Sequence, residues 1–208
     1  MSEAARKPDA AVRLATQADA VPLSQTLARA FHDDPVMMHF IPDEAVRRAK
    51  LPRVFRLMFK LGLPHDSSFV TGNYESVTFW RPPNGWHVPF WQYIVNGPEL
   101  LGIFGTGALH VMNTMDKMEK IHPREPHWYL QVIGTEPSLQ GKGFGSRIMR
   151  NQLAVADEAD MHCYLETSKD TNIPIYRSFG FEVTGEIQVP DGPTIWPMWR
   201  KARRFRQG

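Results

Sequence analysis

From Trp128 to Ile133 the chain runs without a charge and is rich in β-prone residues, which predicts a buried strand ended by Glu136 and Pro137. Beyond it, Ile148, Met149, Leu153 and Ala156 recur at helical spacing through SRIMRNQLAVADEA. Between strand and helix lies the loop Gln140-Gly141-Lys142-Gly143-Phe144-Gly145. Upstream, Val12 to Leu14 predict a short first strand, and Thr16 is a plausible N-cap for a helix from about Gln17 to Phe31. The segment PVMMHFIPDE breaks that helix. A second helix is expected over residues 44–61, with Leu51, Phe55, Met58 and Phe59 on its apolar side and Pro52 marking either a kink or its true start.

The stretch SSFVTGNYESVTFW reads as a hairpin turning at Gly72-Asn73, and residues 82–122, rich in Trp, Met and Gly, read as helical pieces. Residues 161–167 predict a strand that carries Glu166. FEVTGEIQV and TIWPMWRK predict two more, joined by the turn Pro190-Asp191-Gly192-Pro193. The expectation is a single α/β domain over residues 11–201, a mixed central sheet of about seven strands flanked by helices. Residues 1–10 are expected to be disordered. Residues 202–208 read as a basic tail, part of a cluster of Arg200, Lys201, Arg203, Arg204 and Arg206 that suits a solvated terminus better than a contact with acidic partners.

Composition narrows the classes. A length of 208 residues suits one domain, and 42% hydrophobic with 22% charged residues is ordinary for a globular protein. No apolar run is long enough to span a bilayer, and no charged-then-apolar leader opens the chain, so no membrane association is expected. The single Cys163 rules out an internal disulfide and fits a reducing compartment, which points to the cytoplasm. A net charge of +2 argues against a nucleic-acid partner, and the eight histidines show no metal-ligand spacing, so no metal is expected.

The glycine loop is where chemistry enters. The first N–H groups of a helix have no internal partners and sit at the positive end of its dipole, and glycines let an anion approach them closely. A P-loop is excluded because no Ser or Thr follows Lys142. The dinucleotide fingerprint is excluded because Ser146 stands where its last glycine belongs. A tight strand-to-helix turn and a polyphosphate cradle both remain open on these residues alone. Lys142 suits either a solvated loop or the neutralisation of a phosphate.

Gln140-x-x-Gly143-x-Gly145 after a strand, followed by Asn172-x-x-x-Tyr176 and Phe179-Gly180-Phe181, resembles the GNAT superfamily of N-acetyltransferases. GKGFGS, YLETS, NIPIYRSFGFEVTGEIQVPDGPTIWPMWRK and the opening VRLAT are similar to the puromycin N-acetyltransferase branch. The likeness is close from about Pro126 to Lys201 and looser before that. It implies that Gln140, Gly141, Lys142, Gly143, Phe144, Gly145 and Ser146 hold the pyrophosphate of acetyl-CoA. It also implies that Ile133 and Thr135 bind the pantetheine arm through their backbones, that an N–H near Ile133 meets the oxyanion, and that Asn172 touches the CoA chain. Tyr176 is implied as general acid toward sulfur, with packing beneath Phe179 as the structural alternative.

YLETS is similar to the Leu-Glu-Val stretch of ribosomal-protein alanine acetyltransferases, whose Glu is the general base, and this carries that role to Glu166. The spacing from Glu166 to the tyrosine is shorter by two residues here. On the acceptor side the resemblance points to Phe31, His32, Asp33, Asp34 and His39, where carboxylates would hold an ammonium group, against the reading of a solvated Asp-Pro turn. Aromatic residues within 82–122 suit an acceptor pocket, plain core or a dimer face. Cys163 offers a covalent acetyl-cysteine route, set against a small buried hydrophobe. The expected activity is acetyl transfer from acetyl-CoA to the primary amine of a small, puromycin-like molecule by direct attack. A protein α-amine or lysine, or a non-catalytic CoA-binding module, are the alternatives, in a monomer or homodimer.

Overall fold

The computed structural model describes residues 11–87 and 90–202. The expectations for residues 1–10 and for the tail from Arg203 onward lie outside the described residues. Strands β1 (Val12–Leu14), β2 (Ser68–Thr71), β3 (Ser76–Arg81), β4 (His127–Thr135), β5 (His162–Thr167), β6 (Glu182–Val183), β7 (Ile187–Gln188) and β8 (Thr194–Arg200) form one sheet. Its order is β1-β2-β3-β4-β5-β8-β6, with β7 also on β8. Every pairing is antiparallel except β4 with β5. The sequence predicts one strand where the chain makes β6 and β7. Between them Thr184 spends both its N–H and its hydroxyl on the Pro197 carbonyl, at 2.9 and 3.2 Å, and Pro197 has no N–H to return to the ladder.

Helices α1 (Ala20–Ala30) and α3 (Glu44–Gly62) pack together on one face of β3 and β4, and α6 (Phe144–Glu158) covers the other face. Leu23, Leu27, Leu51, Phe55, Phe59 and Phe79 fill the first core, while Trp80, Met149, Leu153, Cys163, Leu165 and Met198 fill the second. The α3 helix starts at Glu44, where the Asp43 carboxylate accepts the Val46 N–H at 2.8 Å, and it runs on through Pro52. The predicted break after α1 contains a short helix α2 (Pro35–Phe40), capped by Asp34. Residues 82–122 make α4 (Phe90–Phe104) and α5 (Ala108–Ile121), and α7 (Ile173–Ser178) follows β5. Among the described residues no helix is long and apolar enough to cross a membrane.

Arg200 departs from the predicted tail. It ends β8, buried, with its guanidinium on both Asp157 oxygens at 2.7 Å and its Nε–H on the Phe179 carbonyl at 2.9 Å. A planar fork matched to a carboxylate holds it in the structure rather than in solvent.

Candidate active site

Strands β4 and β5 pair only from His127 with His162 to Leu130 with Leu165. Past that point β4 continues to Thr135 beside β3 while β5 turns toward β8, and the sheet opens like a fork. A register shift opposite Phe79 and Trp80 leaves Gln131 as a bulge at the same place. A cleft of about 560 Å³ lies along the open fork, lined by Ile133, Gly134 and Thr135 from β4, by the loop and first turn of α6, and by α7.

The cradle at the start of α6 has a physical signature. Gly141 and Gly143 hold φ of +75° and +90°, where an L side chain is strained, and a Cβ at either would meet nothing within 4 Å. No side chain caps α6. Its start is therefore left without a side-chain cap, beside backbone that glycine adopts without strain and with room around it, which suits a polyphosphate. The Gln140 amide donates to the Thr135 carbonyl at 3.3 Å and ties the loop back to β4.

Ile133, Thr135, Gln140, Gly141, Gly143, Phe144, Gly145, Ser146, Asn172 and Tyr176 all line this one cleft. Lys142 does not; it is exposed on the loop outside the lining. Asn172 stands at the N-cap position of α7 without capping it, and its Nδ2 reaches the Thr167 hydroxyl at 3.5 Å. Tyr176 is buried against Phe181 and packs with Phe179. Burial, and then the nearby Asp34, hold its phenol well above the ordinary range, so it carries its proton at neutral pH.

Of the five acceptor-side residues, Phe31 and Asp34 reach the cleft. Asp34 accepts the Val36 and Met37 N–H groups at 3.0 and 3.1 Å and the Ser168 hydroxyl at 2.9 Å, and burial pushes its carboxyl up. The other three stand outside the lining, each engaged with a partner of its own, although Asp33's partner Lys169 is itself in the lining. His32 faces Glu44 at 3.5 Å, Asp33 takes Lys169 Nζ at 2.7 Å, and the His39 ring meets that of His110 on α5 at 2.9 Å.

Glu166 also stands outside the cleft lining, and the alternation of β5 explains why. Cys163 and Leu165 point to the α6 face with Tyr176, so Tyr164 and Glu166 point to the opposite one. There Glu166 sits one residue past the last β4–β5 pair, at the base of the fork, its side chain 6% exposed. Its Oε2 accepts the Tyr129 hydroxyl at 2.6 Å, and His122 lies 3.7 Å from Oε1 under a stacked Trp86. Acid and base candidates thus flank the fork from its two faces. Cys163 is fully buried, and burial pushes its thiol up to about 12, which makes it a poor nucleophile. Among the described residues no group of His, Cys, Asp or Glu could hold a metal ion.

Sequence reasoning missed Lys169, Thr171 and Ile175, which complete the cleft, and the buried set Tyr129, His122 and His127 around Glu166. Strand parity offers a signal for Tyr129, because on parallel β4 and β5 it must share a face with Tyr164 and Glu166. No spacing signals His122, which arrives from the end of α5.

The Acetyltransferase (GNAT) family model matches residues 60–181. An uncharacterized N-acetyltransferase of Schizosaccharomyces pombe is 25% identical over 167 residues, 75% of this chain and 68% of its own length. N-alpha-acetyltransferase RimI of Mycobacterium tuberculosis is 34% identical over 56 residues, 27% of this chain and 35% of its own. The crystal structure of a histone acetyltransferase HPA2 and related acetyltransferase from Corynebacterium glutamicum superposes with a TM-score of 0.72 at 28% identity, covering 94% of this chain and 98% of that one.

Proposed function

The chain belongs to the acetyltransferase (GNAT) family, and on that premise we propose that it transfers acetyl from acetyl-CoA to the primary amine of a small molecule, by direct attack within a ternary complex. The observation that carries the reading is the fork itself. Tyr176 lies on the α6 face beside the glycine cradle, and Glu166 lies on the opposite face at the fork's base.

In this reading the cradle at Gly141 to Ser146 takes the pyrophosphate, with Lys142 lending charge from outside, and Ile133 and Thr135 carry the pantetheine arm into the fork. The amine nitrogen attacks the thioester carbon; the C–N bond forms and the C–S bond breaks. Glu166 takes the proton from nitrogen, Tyr176 gives one to the departing sulfur, and the products are the amide and free CoA. The phenol keeps its proton at neutral pH, as a donor to the departing sulfur must. Asp34, buried at the cleft beside Phe31, is the carboxylate we assign to the ammonium form of the acceptor, and Asp33, His32 and His39 border that entry.

A small acceptor is the reading supported by the close packing around Glu166, where His122 lies 3.7 Å from Oε1 and Trp86 stacks on His122. The puromycin-like branch is the nearest analogy of substrate class, in a cytoplasmic monomer or homodimer. A protein acceptor is the second reading, since one similar protein is named an N-alpha-acetyltransferase and a similar structure a histone acetyltransferase. The test is acetyl-CoA-dependent thiol release against puromycin, a set of small amines and a set of peptides with free N-termini. Turnover of puromycin or small aromatic amines is the expected result; turnover of peptides alone overturns the small-molecule reading.

A further inference from the structure

The polar cluster behind Glu166 fixes more than the position of one carboxylate. His127 Nδ1 lies 2.6 Å from the Glu125 backbone carbonyl, a group that only accepts, so Nδ1 carries the hydrogen. His127 is buried, which favours the neutral ring, and its Nε2 is then a lone pair. That lone pair is 3.0 Å from His122 Nε2, so the hydrogen between the two rings belongs to His122. A neutral His122 is left with its lone pair on Nδ1, on the side of Glu166 Oε1 at 3.7 Å. Two acceptors therefore face each other across that gap, and one added proton turns the contact into an ion pair.

We propose that His122 is a second proton acceptor in series with Glu166, held in the receiving tautomer by His127 and the Glu125 carbonyl. The inference rests on Glu166 as the base. As the C–N bond forms, the amine's proton goes to Glu166 and passes to His122 Nδ1. The carboxylate is restored beside an imidazolium, and the proton leaves to water before the next turnover. No redox change accompanies these transfers.

Among the described residues around Glu166, the other polar groups are donors to it or are engaged elsewhere. Tyr129 donates to the other Glu166 oxygen, Tyr164 faces the same carboxylate, and burial holds both phenols above their ordinary range. Arg81 on β3 lies beyond Tyr129. The Glu125 carboxylate is turned to His162 at 3.2 Å, and Glu119 is paired with His87. Trp86, stacked on His122 at 4.0 Å between centroids, keeps the ring's face from water.

Long-range proton–nitrogen spectra of the protein labelled with ¹⁵N-histidine, recorded from about pH 5 to pH 10, test this without any acceptor. The expected result is His122 as the Nε2–H tautomer once neutral, with its Nδ1 signal moved in Glu166→Gln. His127→Phe should release the tautomer and give a mixture at His122, which keeps the test alive if Glu166→Gln fails to fold. An Nδ1–H tautomer at His122, or a His122 Nδ1 signal unmoved in Glu166→Gln, overturns the proposal. In turnover, His122→Phe should lower kcat about tenfold with KM for acetyl-CoA unchanged, the low end of what a positioned acid or base contributes. Full kcat in His122→Phe with loss in Glu166→Gln overturns the role of His122 alone, while full kcat in Glu166→Gln overturns the base it rests on.

Discussion

On the α6 face of the fork, the groups that would meet the cosubstrate are largely backbone, drawn from one contiguous stretch at residues 139–146. On the opposite face, Glu166 is enclosed by side chains from residues 86, 122, 127, 129 and 164, which four separate segments deliver. A backbone cradle needs only glycines and a helix start, so it is compact in sequence and generic in chemistry. A side-chain enclosure needs the whole fold to assemble it. That is where substrate choice and proton handling can vary within one superfold.

Substitutions on the two faces should therefore fail in different ways. Glu166→Gln should lower kcat by about 10² to 10⁴ in steady-state assays if Glu166 is the base proposed above, since the carboxamide keeps the shape and loses the proton acceptor. Tyr176→Phe should cost about 10², with the loss smaller for thioesters whose leaving thiol is more acidic. If both instead weakened acetyl-CoA binding, the division between faces would be wrong.

Gly143→Ala should act the other way. Its φ of +90° makes a Cβ cost about 1 to 2 kcal/mol, and the added methyl stands over the cradle. Acetyl-CoA binding by calorimetry should weaken about tenfold or more, with kcat at saturation little changed. Asp34→Asn should raise KM for the amine a few-fold while leaving the melting temperature near wild type, since Asn also caps helices well.

The smallest effect on catalysis is expected far from the fork. Asp19 accepts both Arg13 nitrogens, at 2.7 and 2.8 Å, and the Tyr74 hydroxyl at 2.6 Å, and the Arg13 hydrogen bonds hold its carboxyl far below the ordinary range. A depressed carboxyl stabilises the fold above its unfolded value of about 3.9, and that contribution is lost as pH falls through the depressed folded value. Asp19→Asn should cost about 1 kcal/mol near neutral pH and converge with wild type in strong acid, with kcat and acetyl-CoA binding unmoved.

The same contrast explains what could be read from the sequence. The strand, glycine loop and helix of the cradle are signalled by apolar periodicity and by glycines at positions of positive φ, all within one window. The hairpin at Gly72-Asn73 and the helical nature of residues 82–122 were legible for the same local reason. Arg200 misleads because its partner Asp157 lies 43 residues away, and a run of basic residues at a chain end looks like a tail. His32, Asp33 and His39 lie outside the cleft lining, and their partners on α3, on the loop after β5 and on α5 are too far along the chain for spacing to announce. His122 and Tyr129 are invisible to spacing altogether, since only the parallel pairing of β4 and β5 and the return of α5 bring them to Glu166.

The most direct test of the division between the faces is the dissociation constant of acetyl-CoA, measured by calorimetry in Glu166→Gln alongside its kcat. The account predicts wild-type affinity with turnover reduced at least a hundredfold. Affinity and turnover falling together, or turnover unchanged, would contradict it.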